Sequence, residues 1–109
     1  MGQYNNLMNN KITVEVDADL EDLIPGYLRN KQNEIERMTA ALAAGDFSAI
    51  ALTAHGLKGN GAAYGFVPLS ELGAALEKAA GSQDGESIGQ LLDGMQAYLQ
   101  RIEIVYIEC

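Results

Sequence analysis

The sequence predicts an all-α protein, an up-down-up-down four-helix bundle, and three observations carry that expectation. Four stretches place apolar residues at the i, i+3, i+4 and i+7 spacing of an amphipathic helix. The breaks between them are short and hold helix-stopping residues: Gly45-Asp46, Gly65-Phe66 and the run GSQDG. The chain has 109 residues, 48% of them hydrophobic, which suits one domain with one modest core.

Residues 1 to 11 are polar and Asn-rich and read as a flexible N-terminal arm or linker, leaving 12 to 109 as the domain. ITVEVD alternates Ile12, Val14 and Val16 with polar residues, a short strand-like pattern. Helical spacing then links Leu20, Leu23, Ile24, Tyr27, Leu28, Ile35, Met38 and Leu42, with Lys31 the one break in the stripe. Pro25 does not fit a helix interior, so a kink or a short extra helical turn is expected near it. Gly45 stops this helix, and Asp46 suits the N-cap of a second that runs from about Phe47 toward Tyr64. A third helix begins near Pro68, with Leu69, Leu72, Leu76 and Ala80 on one face. The fourth carries Ile88, Leu91, Leu92, Met95, Leu99 and Ile102, and its tail returns to alternation. In this topology the first helix starts where the last one ends. The flanks 12 to 16 and 102 to 107 are therefore expected to meet as an antiparallel pair.

Composition narrows the function. Fifteen acidic against 7 basic residues give a formal charge of −8, which argues against nucleic acid or an anionic membrane as partner. No apolar run approaches the roughly 18 to 20 residues of a membrane span. The N-terminus lacks an apolar signal region, so a cytoplasmic setting is expected. Cys109 is the sole cysteine, an incidental terminal thiol rather than part of a disulfide framework.

The stretch TAHGLKGNGAAYGF holds the chain's sole histidine, His55, among four glycines. At roughly 100° per residue, Phe47, Ile50, Ala54, Leu57, Gly61 and Tyr64 face the core and His55 faces water. Ser48, Ala51, Leu52, Lys58, Gly59 and Ala62 share its outer side. Each interior helical glycine costs about 0.8–1.0 kcal/mol against alanine, so its presence asks for a reason. Gly61 faces the core and would let a neighbouring helix approach. Gly59, one turn after His55, would clear space for something to reach the imidazole. Gly56 has no such account. No acid falls between Asp46 and Glu71, so the surroundings of His55 are expected to be clear of negative charge, with Lys58 within reach. Such a surface suits a histidine that acquires a phosphoryl group of about −2 charge. A neutral imidazole is a competent nucleophile toward phosphorus.

The segment AHGLKGNGAAYGFVPLSELGAALEKAA resembles the histidine-containing phosphotransfer (HPt) family. That family's signature is a helical His-x-x-Lys-Gly followed by small residues and Gly-Phe. His55, Lys58, Gly59, Gly65 and Phe66 match in place, as do Leu72 and the Leu76-Glu77 pair, and the likeness runs from about residue 18 to 105. The resemblance implies a monomeric phosphoryl carrier in a His–Asp phosphorelay, without kinase or hydrolase activity of its own. His55 would take the group on its outward ring nitrogen from a receiver-domain aspartate and pass it to another receiver. Lys58 would steady the phosphoryl oxygens, and Gly59 would admit the partner. Response-regulator receiver domains and a hybrid sensor histidine kinase are the implied partners, with Mg²⁺ supplied by the receiver and no metal site here. The helical wheel adds Ser48, Ala51, Leu52 and Ala62 as the docking surface.

Two other functions remain open. The phosphoacceptor domain of chemotaxis-type histidine kinases is similar but receives phosphate from an ATP-binding kinase domain. A helical docking module whose histidine is never phosphorylated belongs to a different class. Other motifs fail on their own chemistry. Gly59-x-Gly61-x-x-x-Gly65 lacks the preceding strand of a dinucleotide site, and no Gly-Lys-Ser/Thr loop is present. Asp17, Asp19 and Glu21 imitate a calcium loop, but Asp22 and Leu28 stand where glycine and glutamate are needed. These acids are expected to favour the positive end of the first helix. Tyr98 and Tyr106 are expected in the core or at its rim.

Overall fold

A computed structural model describes residues 11–108. Of the expected N-terminal arm, only Lys11 falls among the described residues, and Cys109 lies outside them too. The elements are strand β1 (Ile12–Asp17), a 3-10 turn (Ala18–Leu23) and helices α1 (Ile24–Ala43) and α2 (Phe47–Asn60). A second 3-10 turn (Ala62–Tyr64), helices α3 (Val67–Gly81) and α4 (Gly85–Arg101) and strand β2 (Ile102–Ile107) complete the order. Each helix packs on its sequence neighbours and α1 closes the ring against α4, the expected four-helix bundle.

The punctuation is local chemistry. Pro25 sits in the first turn of α1, where its missing N–H removes no helical bond. Gly45 takes φ +71° after α1, and the Asp46 carboxylate accepts from the Ala49 N–H at 3.1 Å to start α2. Asp84 caps α4 in the same way through Ser87. The α-helical part of α2 ends at Asn60, earlier than the periodicity implied, and tightens into the 3-10 turn up to Gly65. Gly65 has φ +97°, and a Cβ there would meet the Glu15 carbonyl at 3.2 Å, so this corner rests on β1. Asp17, Asp19 and Glu21 attend the first 3-10 turn, not α1, whose first turn holds no acid.

The flanks do pair, but in parallel, from Ile12 opposite Ile102 to Asp17 opposite Ile107. The antiparallel expectation took both flanks to run straight on from their helices. The six-residue 3-10 turn between β1 and α1 removes that constraint on the strand's direction. Val14 and Val16 point into the core from β1.

The core takes the predicted stripes: Ile24, Ile35 and Met38 from α1, Ile50 and Leu57 from α2, Leu69 and Leu76 from α3, Ile88 and Met95 from α4. Each such side chain contributes about 1.5–3 kcal/mol on full burial. Lys31 does not break the α1 stripe: it is 1% exposed, 3.0 Å from the Glu34 carboxylate and 4.7 Å over the Tyr27 ring. Tyr27 also stacks on Phe66 and meets the edge of Tyr64. Burial, then the nearby Glu34, pushes the Tyr27 hydroxyl pKa up, and it donates to Asn60 at 2.8 Å. Tyr98 is buried and Tyr106 half-buried, as expected. Among the described residues, no helix is long and apolar enough to cross a membrane.

Candidate functional site

Helix α2 presents its two sides as the wheel requires. Ile50, Ala54 and Leu57 are fully buried, and the His55 side chain is 69% exposed. Asn60 is tied to Tyr27 of α1, which fixes one flank of α2. The other flank lies against α3 at unusually short range. A Cβ on Gly73 would meet the Ala54 carbonyl oxygen at 2.9 Å and collide with the Lys58 backbone nitrogen. Gly61 repeats the device one level along: a Cβ there would stand 2.6 Å from the Ser70 nitrogen. The expectation that Gly61 permits close helix packing therefore holds. Ser70 also accepts from the Ala62 N–H at 2.7 Å, binding the end of α2 to α3.

That close approach brings Glu77, one turn beyond Gly73 on α3, beside the histidine. Glu77 Oε2 lies 2.9 Å from His55 Nδ1, and its other oxygen lies 3.5 Å from Lys58 Nζ. The surroundings of His55 are therefore not clear of negative charge. Absence of acids along α2 did not exclude one from α3. The hydrogen bond with His55 holds the Glu77 carboxyl below its ordinary pKa, with the charges of His55 and Lys58 adding to it and partial burial opposing. An ionised carboxylate only accepts, so Nδ1 carries the proton that it binds. In the neutral ring Nε2 then keeps its lone pair. The arrangement is an exposed imidazole oriented through Nδ1, with a carboxylate bonded to it and a lysine within reach.

The predicted docking residues are unequal. Ser48, Leu52 and Ala62 are exposed, with Leu52 at 76% an outlying apolar side chain for a surface position. Ala51 is half-buried and packed against the core, so it offers less surface than the wheel implied. Gly59 is exposed, and a Cβ there would meet nothing within 4 Å, so packing does not require it. Gly56 stands equally open. Among the described residues, His, Cys, Asp and Glu gather in no cluster suited to a metal ion. An open groove between α3 and α4, bordered by Lys78, Ser82 and Asp84, includes neither His55 nor Glu77.

Sequence reasoning missed Glu77 as a site residue although Leu76-Glu77 stood among the matching positions. It also missed Gly73, whose signal was a residue without a side chain between Leu72 and Leu76 on a packed face.

Comparison with known proteins gave one family: the model of the Hpt domain matches residues 15–104. No curated protein and no solved structure matched the chain.

Proposed function

This chain belongs to the Hpt domain family, and from that premise we propose that His55 is its phosphoacceptor, taking a phosphoryl group from a receiver-domain aspartate and delivering it to another. Family membership carries the general role, histidine phosphotransfer in a phosphorelay. The observation that best supports placing it on His55 is the 2.9 Å contact between Nδ1 and Glu77 on an imidazole that is otherwise exposed.

The Nε2 lone pair forms the N–P bond while the bond from phosphorus to the aspartyl oxygen breaks, its electron pair leaving on the restored carboxylate. The Nδ1 proton stays in place, so the ring becomes cationic, and the Glu77 carboxylate stabilises that charge. Lys58 swings from Glu77 toward the incoming oxygens and steadies the phosphoryl group's negative charge. Discharge is the same step reversed, onto a second aspartate. This chain contributes positioning and electrostatics. The receiver supplies Mg²⁺ and its acidic pocket. Leu52, with Ser48 and Ala62, gives the receiver its landing surface, and Gly59 lets it come close.

Incubation with a phosphorylated receiver followed by Phos-tag electrophoresis tests the assignment. Acid-labile, alkali-stable label that disappears in His55→Gln is expected. Label that persists in that variant would overturn it. Supplying an ATP-dependent kinase domain in place of the receiver separates the chemotaxis-type donor from the relay, and a module that is never phosphorylated takes no label from either.

A further inference from the structure

Contacts within the chain fix which sides of α2 are occupied. Ala54 and Lys58 face α3 through Gly73, and Asn60 faces α1 through Tyr27. At roughly 100° per residue, His55 projects on the α3 side of the outward face. Leu52, Gly56 and Gly59, at i, i+4 and i+7, run down the middle of that face, with Gly56 turned toward α1. Leu52 is 76% exposed, and neither glycine would bring a Cβ within 4 Å of anything.

An open helical glycine weakens its helix without a packing return. Gly61, Gly65 and Gly73 each have a reason inside the fold, whereas Gly56 has none. Phosphoryl transfer supplies an external one. The donor phosphorus must reach bonding distance of Nε2, so the partner's surface must also cover the neighbours of His55 on α2. On the α3 side that room is filled by the side chains of Glu77 and Lys58. Away from α3, Gly56 and Gly59 leave bare backbone beside one exposed apolar side chain, Leu52.

Resting on the carrier reading, we infer that Gly56 sets how closely a receiver can approach His55. The receiver approaches from the α1 side, lies against the α2 backbone at Gly56 and Gly59, and seats an apolar patch on Leu52. A long side chain at 56 lifts that surface away from the imidazole without altering the imidazole itself.

The test compares Gly56→Ala and Gly56→Gln with the wild type and with Gly94→Gln, a control at an equally open glycine on α4. The donor is whichever phosphorylated receiver of a panel labels the wild type fastest. Phosphoramidate, a small donor that needs no docking, labels each protein in parallel, and thermal midpoints report folding. Gly56→Gln is expected to raise KM for the receiver about tenfold or more, with kcat and phosphoramidate labelling retained. Gly56→Ala and Gly94→Gln stay within about twofold. An unchanged KM in Gly56→Gln overturns the inference, as does an equal loss in Gly56→Ala, which would place the role in backbone flexibility. Wild type that takes label from neither donor overturns the carrier reading itself. Wild type that takes label from phosphoramidate, beside a Gly56→Gln variant with normal receiver kinetics, overturns this inference alone.

Discussion

Gly73 of α3 and Lys58 of α2 meet backbone to backbone, with no room between them for a Cβ. Their contact sets the distance between the two helices, and through it the 2.9 Å reach of Glu77 to His55. Replacing Gly73 with alanine forces α2 and α3 apart, because the obstructing atoms are backbone. A loss of about 1–3 kcal/mol is expected from overpacking. Chemical denaturation measures it, and receiver-driven labelling of His55 should fall at the same time. Gly94→Ala, in open space on α4, is expected to gain up to about 1 kcal/mol.

Glu77→Ala removes the acceptor that orients the imidazole and leaves Lys58 without its anion. Transfer to and from receivers is expected to slow by about tenfold or more, with little change in the thermal midpoint. Because the folded carboxyl is held below its ordinary 4.5, its stabilising contribution is complete above that pH. It is lost as pH falls through the depressed folded value. Acid titrations of stability should therefore differ between wild type and Glu77→Ala only in how they fall below about pH 4.5.

Lys58→Ala should slow phosphoryl transfer without unfolding the bundle. Its side chain is more than half exposed and its 3.5 Å contact with Glu77 is loose, so about 0–1 kcal/mol of stability rides on it. Single-turnover transfer kinetics beside a thermal melt separate the two effects.

Lys31, buried, and Glu34, half-buried, form a pair of another kind, away from the histidine. Lys31→Met is expected to leave stability unchanged or raise it by up to about 4 kcal/mol, since removing the ammonium ends its desolvation cost. Glu34→Ala strands the charge and should cost about 3–5 kcal/mol. Denaturant midpoints of the two variants should move in opposite directions, or only the second should move.

The bundle was legible because its signals are local: periodic apolar faces, Gly45-Asp46, Pro25 and the Gly65 corner all act within a few residues of themselves. The histidine's exposure followed from the same periodicity. Two features that depend on a second element were legible, the close packing at Gly61 and the meeting of the flanks, but most were not. Direction in the β1–β2 pair hangs on how the 3-10 turn redirects the chain, and alternation carries no sign of direction. Glu77 reaches His55 from 22 residues away, so the charge map of α2 alone could not include it. Lys31 looked like a break because a helical wheel counts charge as outside, while Glu34 and the Tyr27 ring supply its partners indoors. Ala51 looked exposed because the wheel ignores how far neighbouring helices wrap around α2.

The central claim is that Glu77 holds the Nδ1 proton so that Nε2 receives the phosphoryl group. One histidine in the chain makes the imidazole nitrogens a single pair of NMR signals. Long-range ¹H–¹⁵N spectra, recorded before and after phosphorylation by a receiver, read both nitrogens directly. The expected result is a protonated Nδ1 throughout and a phosphorus-coupled Nε2 after transfer. Phosphorus on Nδ1, or ring signals unchanged by a receiver that has lost its phosphate to the chain, would contradict it.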